Sequence, residues 1–230
     1  LKKLLLGNEA IARGAYEAGV RVSSAYPGTP STEINENVAT YPEIYSEWAP
    51  NEKVAVEVAL GAAVSGARSL ACMKHVGLNV AADPFFTATY TGVNAGMVVV
   101  VADDPGMHSS QNEQDTRMLA RASHAPVLDP SNSQECKDFL KLAYEISEKY
   151  DTPVILRVTT RIAHARTLVE LDERVEVPLR EYKRDIKKYV SMPANMIARH
   201  LYVEEREKKL AEDANTLPIN RIEWADRKIG

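Results

Sequence analysis

The feature that most constrains the fold is an uninterrupted apolar run, Met97–Ala102, in which four adjacent residues are valine. A strand that is apolar on both faces is typical of a parallel sheet covered by helices on both sides, because a half-exposed strand would alternate. The run is far too short to span a membrane, which needs about 20 apolar residues. We therefore expect a three-layer α/β domain with a buried parallel sheet.

Strand-like runs alternate with helical patterns through most of the chain, which supports this expectation. The predicted strands are Val20–Tyr26, Ile44–Trp48, Ser69–Met73, Met97–Ala102, Val127–Leu128 and Val154–Val158. The predicted helices are Gly7–Gly19 (capped by Asn8), a helix from Ser31, Asn51–Ala67, Leu78–Thr91, Glu113–Ala122 and Ser133–Tyr150. Ligands of such folds bind at the carboxyl ends of the strands. The loops expected there are Tyr26–Ser31, Lys74–Gly77, Asp103–Glu113 and Thr159–Ala165.

The character of the sequence changes near residue 165. We expect residues 1–165 to form the α/β domain and residues 166–230 to form an extended and helical connecting arm, since the later segment has too few clustered apolar residues for a core of its own. The chain starts at Leu1 rather than Met, and Arg227–Gly230 resembles the start of another domain's first strand. We therefore expect an N-terminal piece of a longer polypeptide.

Charge and cysteine content argue against several classes of protein. The net charge of −4 and the pI near 5.8 leave no basic footprint for nucleic acid. Cys72 and Cys136 form neither a CxxC pair nor a zinc-ligand pattern, which indicates reduced thiols in a cytoplasmic protein. No membrane span or signal peptide is evident. No metal site is expected either, because the acids of the 103–115 segment have no recurring ligand spacing.

The first motif with chemical content is YPGTPSTE, Tyr26–Glu33. Its two prolines and one glycine predict a rigid turn directly after a buried strand. Its hydroxyl groups and the start of the next helix would face the ligand side of the sheet. Considered alone, the motif fits a stiff, hydroxyl-capped turn equally well.

The second motif is Glu52, nine residues before Gly61 in a helix rich in alanine and glycine. An acid in the first turn of a helix is often there only because the helix dipole favours it. The small residues, however, let another backbone or a flat ligand approach closely. Glu57 lies on a different face of the helix, where we expect it to be partly buried at a subunit or domain contact.

Together these segments resemble the 2-oxoacid:ferredoxin oxidoreductases. YPGTPSTE is similar to the YPITPS-type signature of their first domain, and Glu52 with Gly61 matches the Glu–x8–Gly pattern of thiamine-diphosphate enzymes. KHVGLNVAADP (74–84) and VVVVADDPGMHSSQNEQDTR (98–117) resemble the α subunit of the indolepyruvate type in particular. The resemblance covers roughly residues 4–177, with the motifs in family order.

The resemblance implies the fold that binds the pyrimidine of thiamine diphosphate, the Pyr fold. It implies that Glu52 is catalytic: it would hydrogen-bond the pyrimidine nitrogen N1′ and so activate the cofactor, a role that suits a carboxyl group in apolar surroundings. The implied cofactor-binding residues are Pro27, Gly28, Glu52 and His75. The implied substrate-binding residues are Thr29, Lys74, His75 and His108.

The activity implied is oxidative decarboxylation of a 2-oxo acid, indolepyruvate or another arylpyruvate, to an acyl-coenzyme A, with electrons passed to ferredoxin. The chain lacks both the Gly-Asp…Asn motif that binds diphosphate and Mg²⁺ and a four-cysteine ferredoxin motif. Mg²⁺ and 4Fe-4S clusters are therefore expected on a missing part of the enzyme. The implied partners are the thiamine-diphosphate-binding domain of the same or a second α chain, a β subunit, ferredoxin and coenzyme A. Alone, the fragment is expected to be inactive.

One departure and two alternatives accompany this interpretation. Where the pyruvate enzymes place an arginine for the substrate carboxylate, this chain has Asp103 and Asp104, so carboxylate recognition must be rearranged, which agrees with an arylpyruvate preference. The first alternative is the Pyr subunit of a non-oxidative thiamine-dependent 2-oxoacid decarboxylase. The second is a non-catalytic interaction module. A nucleotide-binding Rossmann domain is set aside because no GxGxxG follows the first strand.

Overall fold

The computed structural model describes residues 1–220, 222 and 224, so the predicted strand start at Arg227–Gly230 lies outside the described residues. The strands are β1 (Lys2–Leu6), β2 (Val22–Ala25), β3 (Tyr45–Trp48), β4 (Ser69–Lys74), β5 (Met97–Asp103), β6 (Val127–Leu128), β7 (Val154–Thr159) and β8 (Arg166–Glu170). The helices are α1 (Gly7–Glu17), α2 (Thr32–Val38), α3 (Glu52–Val64), α4 (His75–Val80), α5 (Ala82–Thr91), α6 (Thr116–Ala122), α7 (Ser133–Tyr150), α8 (Thr160–His164), α9 (Ile186–Tyr189) and α10 (Pro193–Ala214). Within the described residues, none of these helices combines the length and the apolar character that crossing a bilayer requires.

Six strands form one parallel sheet in the order β3-β2-β4-β5-β7-β6. Lys74 at the end of β4 lies opposite Ala102 of β5, and Asp103 at the end of β5 lies opposite Thr159 of β7. The carboxyl ends of neighbouring strands are thus level with one another. The predicted parallel α/β fold is confirmed.

Successive residues of β5 enter two different cores, which explains the uninterrupted apolar run. Val98 and Val100 pack in the core that includes residues of α1 and α7. Val99 and Val101 pack in a second core with residues of α3 and α5. Both faces of the sheet are therefore covered by helices, and the predicted three layers are confirmed.

The start of α1 differs from the prediction. Asn8 does not cap the helix; it lies inside the first turn, fully buried, and its side-chain amide donates to the carbonyl of Pro30 at 2.8 Å and to Glu33 at 3.0 Å. The carboxylate of Glu9 instead accepts from the backbone N–H of Leu6. Asn8 was a plausible cap by residue type, but the YPGTPSTE turn binds its side chain.

Two further predicted helices have different limits. Residues 78–91 belong to two helices, α4 and α5, which meet at Ala81. Pro84 lies in the first turn of α5, where its missing N–H costs no helical hydrogen bond. The helix predicted from Glu113 begins instead at Thr116, because the side chain of Asp115 caps it by accepting from the N–H of Arg117. Residues 104–115 precede it and form what we call the 104–115 loop.

A separate two-stranded antiparallel sheet joins the two ends of the α/β unit. Leu4 of β1 pairs with Leu168 of β8, although most of the sequence lies between them. The prediction did not include β1, since nothing local in Lys2–Leu6 indicates a partner so distant in sequence.

The arm after residue 165 runs along the edge of the sheet where the strands begin, opposite the predicted ligand side. Arginine and lysine side chains of the arm donate to backbone carbonyls at the ends of helices or just after them. Carbonyl groups at helix ends have no hydrogen-bond partner within the helix. These contacts are Arg174 with Tyr16 and Val20, Arg180 with Asn94, Lys188 with Val93, Arg199 with Tyr90, and Arg206 with Thr89 and Asp151. The division of the chain at residue 165 stays a prediction, but the arm packs closely on the α/β unit.

Candidate functional site

Loops from three strands meet at the carboxyl edge of the sheet. The side chain of Lys74 packs against Gly28, where an added Cβ would lie 3.0 Å from Lys74 Cδ. Lys74 Nζ donates to the carbonyl of Ser109 at 3.2 Å, and the Ser109 hydroxyl donates to the carbonyl of Thr29 at 3.3 Å. The structure therefore brings the YPGTPSTE turn, the end of β4 and the 104–115 loop together.

Glu52 is the first residue of α3, and its side chain is only 9% exposed. Asn51 caps the helix by accepting from the N–H of Val54 at 3.0 Å, so the capping role is already filled by another residue. Within the described residues the Glu52 carboxylate makes no hydrogen bond. It lies against Gly77 of α4, where an added Cβ would be 2.5 Å from Glu52 Oε1 and 2.6 Å from its Cγ. Only glycine at position 77 leaves room for this carboxylate.

The YPGTPSTE turn is rigid and hydrogen-bonded within itself. The N–H of Gly28 donates to the hydroxyl of Thr32, and its carbonyl accepts from both the N–H and the hydroxyl of Ser31. The Thr29–Pro30 peptide bond is cis. Pro27 and Thr29 are exposed at the tip, whereas Pro30 is buried. The hydroxyl of Thr29 is thus free to meet a ligand.

Lys74 and His75 mark the passage from β4 to α4. Lys74 is half-buried, and none of the ion pairs among residues 1–220 involves its ammonium group. His75 is 1% exposed, and its Nε2 lies 3.0 Å from the carbonyl oxygen of Asn112. A free positive charge and a buried imidazole therefore follow one another at the end of this strand.

The two acids at the end of β5, Asp103 and Asp104, are fully buried. Asp103 accepts from Arg157 Nε at 2.7 Å and from the N–H and hydroxyl of Thr116. Asp104 accepts from the N–H of Ser109 at 2.8 Å and from the hydroxyl of Thr160 at 2.7 Å. Burial acts to raise the pKa of Asp104, but these hydrogen bonds outweigh it and hold the pKa below its usual range. Both acids therefore organise the loop, and neither carboxylate is exposed to a ligand.

Other candidate residues take different positions. His108 is exposed in the 104–115 loop, and its side chain makes no hydrogen bond to the rest of the described chain. Glu57 is exposed on α3 in this chain, and its burial at a subunit or domain contact stays a prediction. A Cβ at Gly61 would meet nothing within 4 Å. Packing inside this chain therefore does not explain the glycine of the Glu–x8–Gly pattern.

A cavity of about 560 Å³ lies away from this site, between α6, α7 and α10. Val127, Leu142 and Leu210 contribute to its mostly apolar wall, and no predicted site residue lines it. The convergent polar groups therefore select the carboxyl edge of the sheet, and not this cavity, as the candidate site.

A parallel sheet between two helical layers, with an acid at its carboxyl edge that makes no hydrogen bond within the described residues, defines an α/β protein of the type that binds ligands at the ends of its strands. The chain belongs to the family described as pyruvate flavodoxin/ferredoxin oxidoreductase, thiamine diphosphate-binding, which matches residues 13–218. The resemblance inferred from the motifs is confirmed.

The relatives with 45–50% identity are subunits of indolepyruvate oxidoreductases. The chain is 50% identical to indolepyruvate oxidoreductase subunit IorA of Pyrococcus horikoshii, over 100% of the chain and 37% of that protein. It is 45% identical to the IorA subunit of Archaeoglobus fulgidus, over 100% of the chain and 38% of that protein. Identity to 2-oxoglutarate synthase subunit KorA of Methanothermobacter thermautotrophicus is 31%, over 74% of the chain and 48% of that subunit. The chain thus spans little more than a third of the indolepyruvate relatives.

The fold also has a counterpart among solved structures. A 2-oxoglutarate:ferredoxin oxidoreductase from Magnetococcus marinus, solved with 2-oxoglutarate, coenzyme A and succinyl-CoA bound, superposes with a TM-score of 0.75. The match covers 92% of this chain and 45% of the other, at 20% sequence identity. It supports the shared fold.

Proposed function

We propose that this chain is the pyrimidine-binding part of a thiamine-diphosphate-dependent oxidoreductase that decarboxylates indolepyruvate or a related arylpyruvate. The enzyme would form an acyl-coenzyme A and pass the electrons to ferredoxin. Support comes from the similarity to indolepyruvate oxidoreductase subunits and from the motifs of residues 74–84 and 98–117.

The observation that carries the proposal is the state of Glu52. The residue is only 9% exposed, and its carboxyl group has no hydrogen-bond partner within the described residues, so its oxygens are available to a ligand at this edge of the sheet. Gly77 lies against this carboxyl group and has no side chain that could occupy its space or bond to it. We infer that Glu52 holds the basic pyrimidine nitrogen of thiamine diphosphate, and that Pro27, Gly28 and His75 complete the wall of that subsite. When bound, the cofactor supplies the electron sink for decarboxylation.

Lys74 is the group we assign to the substrate carboxylate. Asp103 and Asp104 are buried; Asp103 pairs with the guanidinium of Arg157 and Asp104 accepts from the hydroxyl of Thr160, so neither carboxylate is a contact for a ligand at the loop surface. Within the described residues the ammonium of Lys74 has only a carbonyl partner, the oxygen of Ser109, and makes no ion pair. Thr29 and His108, exposed on the flanking loops, would add polar contacts to the same substrate.

The rest of the site would come from outside these 230 residues. Burial raises the pKa of the Cys136 thiol to about 12 and also raises that of Cys72, so neither is suited to bind iron as a thiolate. We therefore assign the 4Fe-4S clusters, Mg²⁺ and the diphosphate groove to other parts of the enzyme, including the thiamine-diphosphate-binding domain of the same or a second α chain. A β subunit, ferredoxin and coenzyme A complete the proposed assembly, which we place in the cytoplasm because both cysteines are free.

The direct test is turnover by the full-length enzyme with indolepyruvate, coenzyme A and ferredoxin. We expect ferredoxin reduction and thioester formation to occur together, and each to stop when coenzyme A is withheld. Release of an aldehyde at an undiminished rate without ferredoxin and coenzyme A would favour the non-oxidative decarboxylase instead. No reaction with any arylpyruvate would overturn the proposal.

A further inference from the structure

The imidazole of His75 has one satisfied and one unsatisfied nitrogen. Nε2 faces the carbonyl oxygen of Asn112 at 3.0 Å, and because a carbonyl only accepts hydrogen bonds, Nε2 must carry a proton. In the neutral ring Nδ1 is then an acceptor. Nδ1 is buried and has no hydrogen-bond partner among the described residues, although the side chain as a whole is 99% enclosed. Such an orphan acceptor indicates that a donor is missing.

The position of His75 relates this acceptor to the proposed chemistry. Lys74 precedes it, with a cation free for a carboxylate. Gly77, two residues later, lies against the carboxyl group of Glu52. The orphan nitrogen thus belongs to the segment that joins the proposed carboxylate subsite to the proposed cofactor subsite.

We propose that Nδ1 of His75 accepts a hydrogen bond from the aryl group of the substrate, namely the indole N–H of indolepyruvate. This inference rests on the proposed function. The head of every 2-oxo acid at neutral pH is a carboxylate and a ketone, which only accept hydrogen bonds. Pyruvate and 2-oxoglutarate therefore have no donor for an acceptor in the site. Such an acceptor distinguishes an aryl group that carries a hydrogen-bond donor from one that does not. His75 becomes a specificity-determining residue.

The 104–115 loop adjoins the imidazole of His75 on its Nε2 side. This loop covers His75 through the carbonyl of Asn112, and it is tied to Lys74 and Asp104 through Ser109. Residues 105–114 are exposed or half-buried throughout, so the loop is held by hydrogen bonds rather than by a core. Such a segment can move without disturbing the packed sheet. An aryl group that binds Nδ1 would enter beside His75 when this loop shifts.

The test compares three substrates in the full-length enzyme: indolepyruvate, 1-methylindolepyruvate, which has lost the donor, and phenylpyruvate, which never had one. For the wild type we expect kcat/KM for indolepyruvate to exceed that for the methylated analogue by about 10- to 100-fold, the loss typical of an unpaired buried polar group. Equal kcat/KM for these two indole substrates would overturn the inference while leaving the proposed function intact. Inactivity with all three would instead overturn the proposed function.

Two substitutions separate the two nitrogens. His75→Gln places its amide near the position of Nε2, so it keeps the contact with Asn112 and loses the Nδ1 acceptor. His75→Asn places its amide near the position of Nδ1, so it keeps an acceptor and loses the loop contact. We expect H75Q to lower the preference for indolepyruvate over phenylpyruvate by roughly 10-fold or more, and H75N to keep that preference at a lower overall rate. If H75Q lowers kcat/KM equally for both substrates, Nδ1 serves the cofactor or another chain, and the inference is wrong.

Discussion

Alanine at position 77 is expected to inactivate the enzyme without unfolding it. The added Cβ would lie 2.5 Å from Glu52 Oε1, 2.6 Å from its Cγ and 2.8 Å from its Cδ, whereas comfortable contacts are about 3.5 Å or more. The Glu52 carboxyl group must therefore move by about 1 Å. A displacement of that size can cost about 100-fold in rate, or about 2.7 kcal/mol of transition-state stabilisation. Because the displaced atoms end a flexible side chain, the free energy of unfolding should change by less than about 1 kcal/mol.

The assay is kcat/KM of the full-length enzyme for indolepyruvate, measured with ferredoxin or a dye as electron acceptor, alongside urea unfolding of the 230-residue chain. Gly61→Ala is the matched control for stability, because a Cβ there meets nothing within 4 Å and alanine favours a helix. Gly77→Ala with wild-type kcat/KM would refute the assigned role of Glu52. Unfolding of the Gly77→Ala chain would show that the position is structural only.

Three further expectations concern loop, arm and cofactor. The folded-state pKa of Asp104 lies below its usual value, so its contribution to stability is present above about pH 4 and is lost as pH falls further. Asp104→Asn should therefore lower the urea midpoint at pH 7. The difference in midpoint from wild type should be smaller at pH 3. An equal difference at both pH values would contradict this. Gly66 has φ +102° and a Cβ would lie against the carbonyl of Arg180, so Gly66→Ala should destabilise the chain by at least about 2 kcal/mol and lower the thermal midpoint by about 4–8 °C. Gly61→Ala, which should not lower it, is the control. Calorimetry of the 230-residue chain with thiamine diphosphate should detect weak binding or none, and submicromolar binding would show that the missing part of the site is not needed.

The sheet and its covering helices could be predicted because their signals are local. The valine run of β5 indicates a strand buried on both faces, and Ser133–Tyr150 has the helical periodicity and asparagine cap that mark its limits. In the structure, these elements have the secondary structure that the sequence pattern predicts. Interactions beyond the element do not alter them.

Other features depend on partners that are distant in sequence. Asn8 would suit a helix cap, but Pro30 and Glu33 bind its side chain instead. In the sequence, Asp103 and Asp104 at the end of β5 resemble the start of an exposed charged loop, but Asp103 pairs with Arg157, which lies more than 50 residues later. No local pattern reports these pairings.

The candidate site shows the same division. The importance of Glu52 could be inferred from its spacing and the accompanying motifs, but not its contact with Gly77, which lies 25 residues further along the chain. Nor could the sequence indicate that one nitrogen of His75 is occupied and the other is not. Both facts depend on how α3, α4 and the 104–115 loop pack together at the end of the sheet.

The most direct test of the central claim compares Glu52→Gln with Glu57→Gln in the full-length enzyme. Both changes remove one carboxylate from α3, but Glu52 is buried against Gly77 whereas Glu57 is exposed. We predict that E52Q lowers kcat with indolepyruvate by about 10²- to 10⁴-fold while its unfolding midpoint stays close to wild type, and that E57Q stays within about twofold in kcat. Near-normal turnover by folded E52Q would contradict the account.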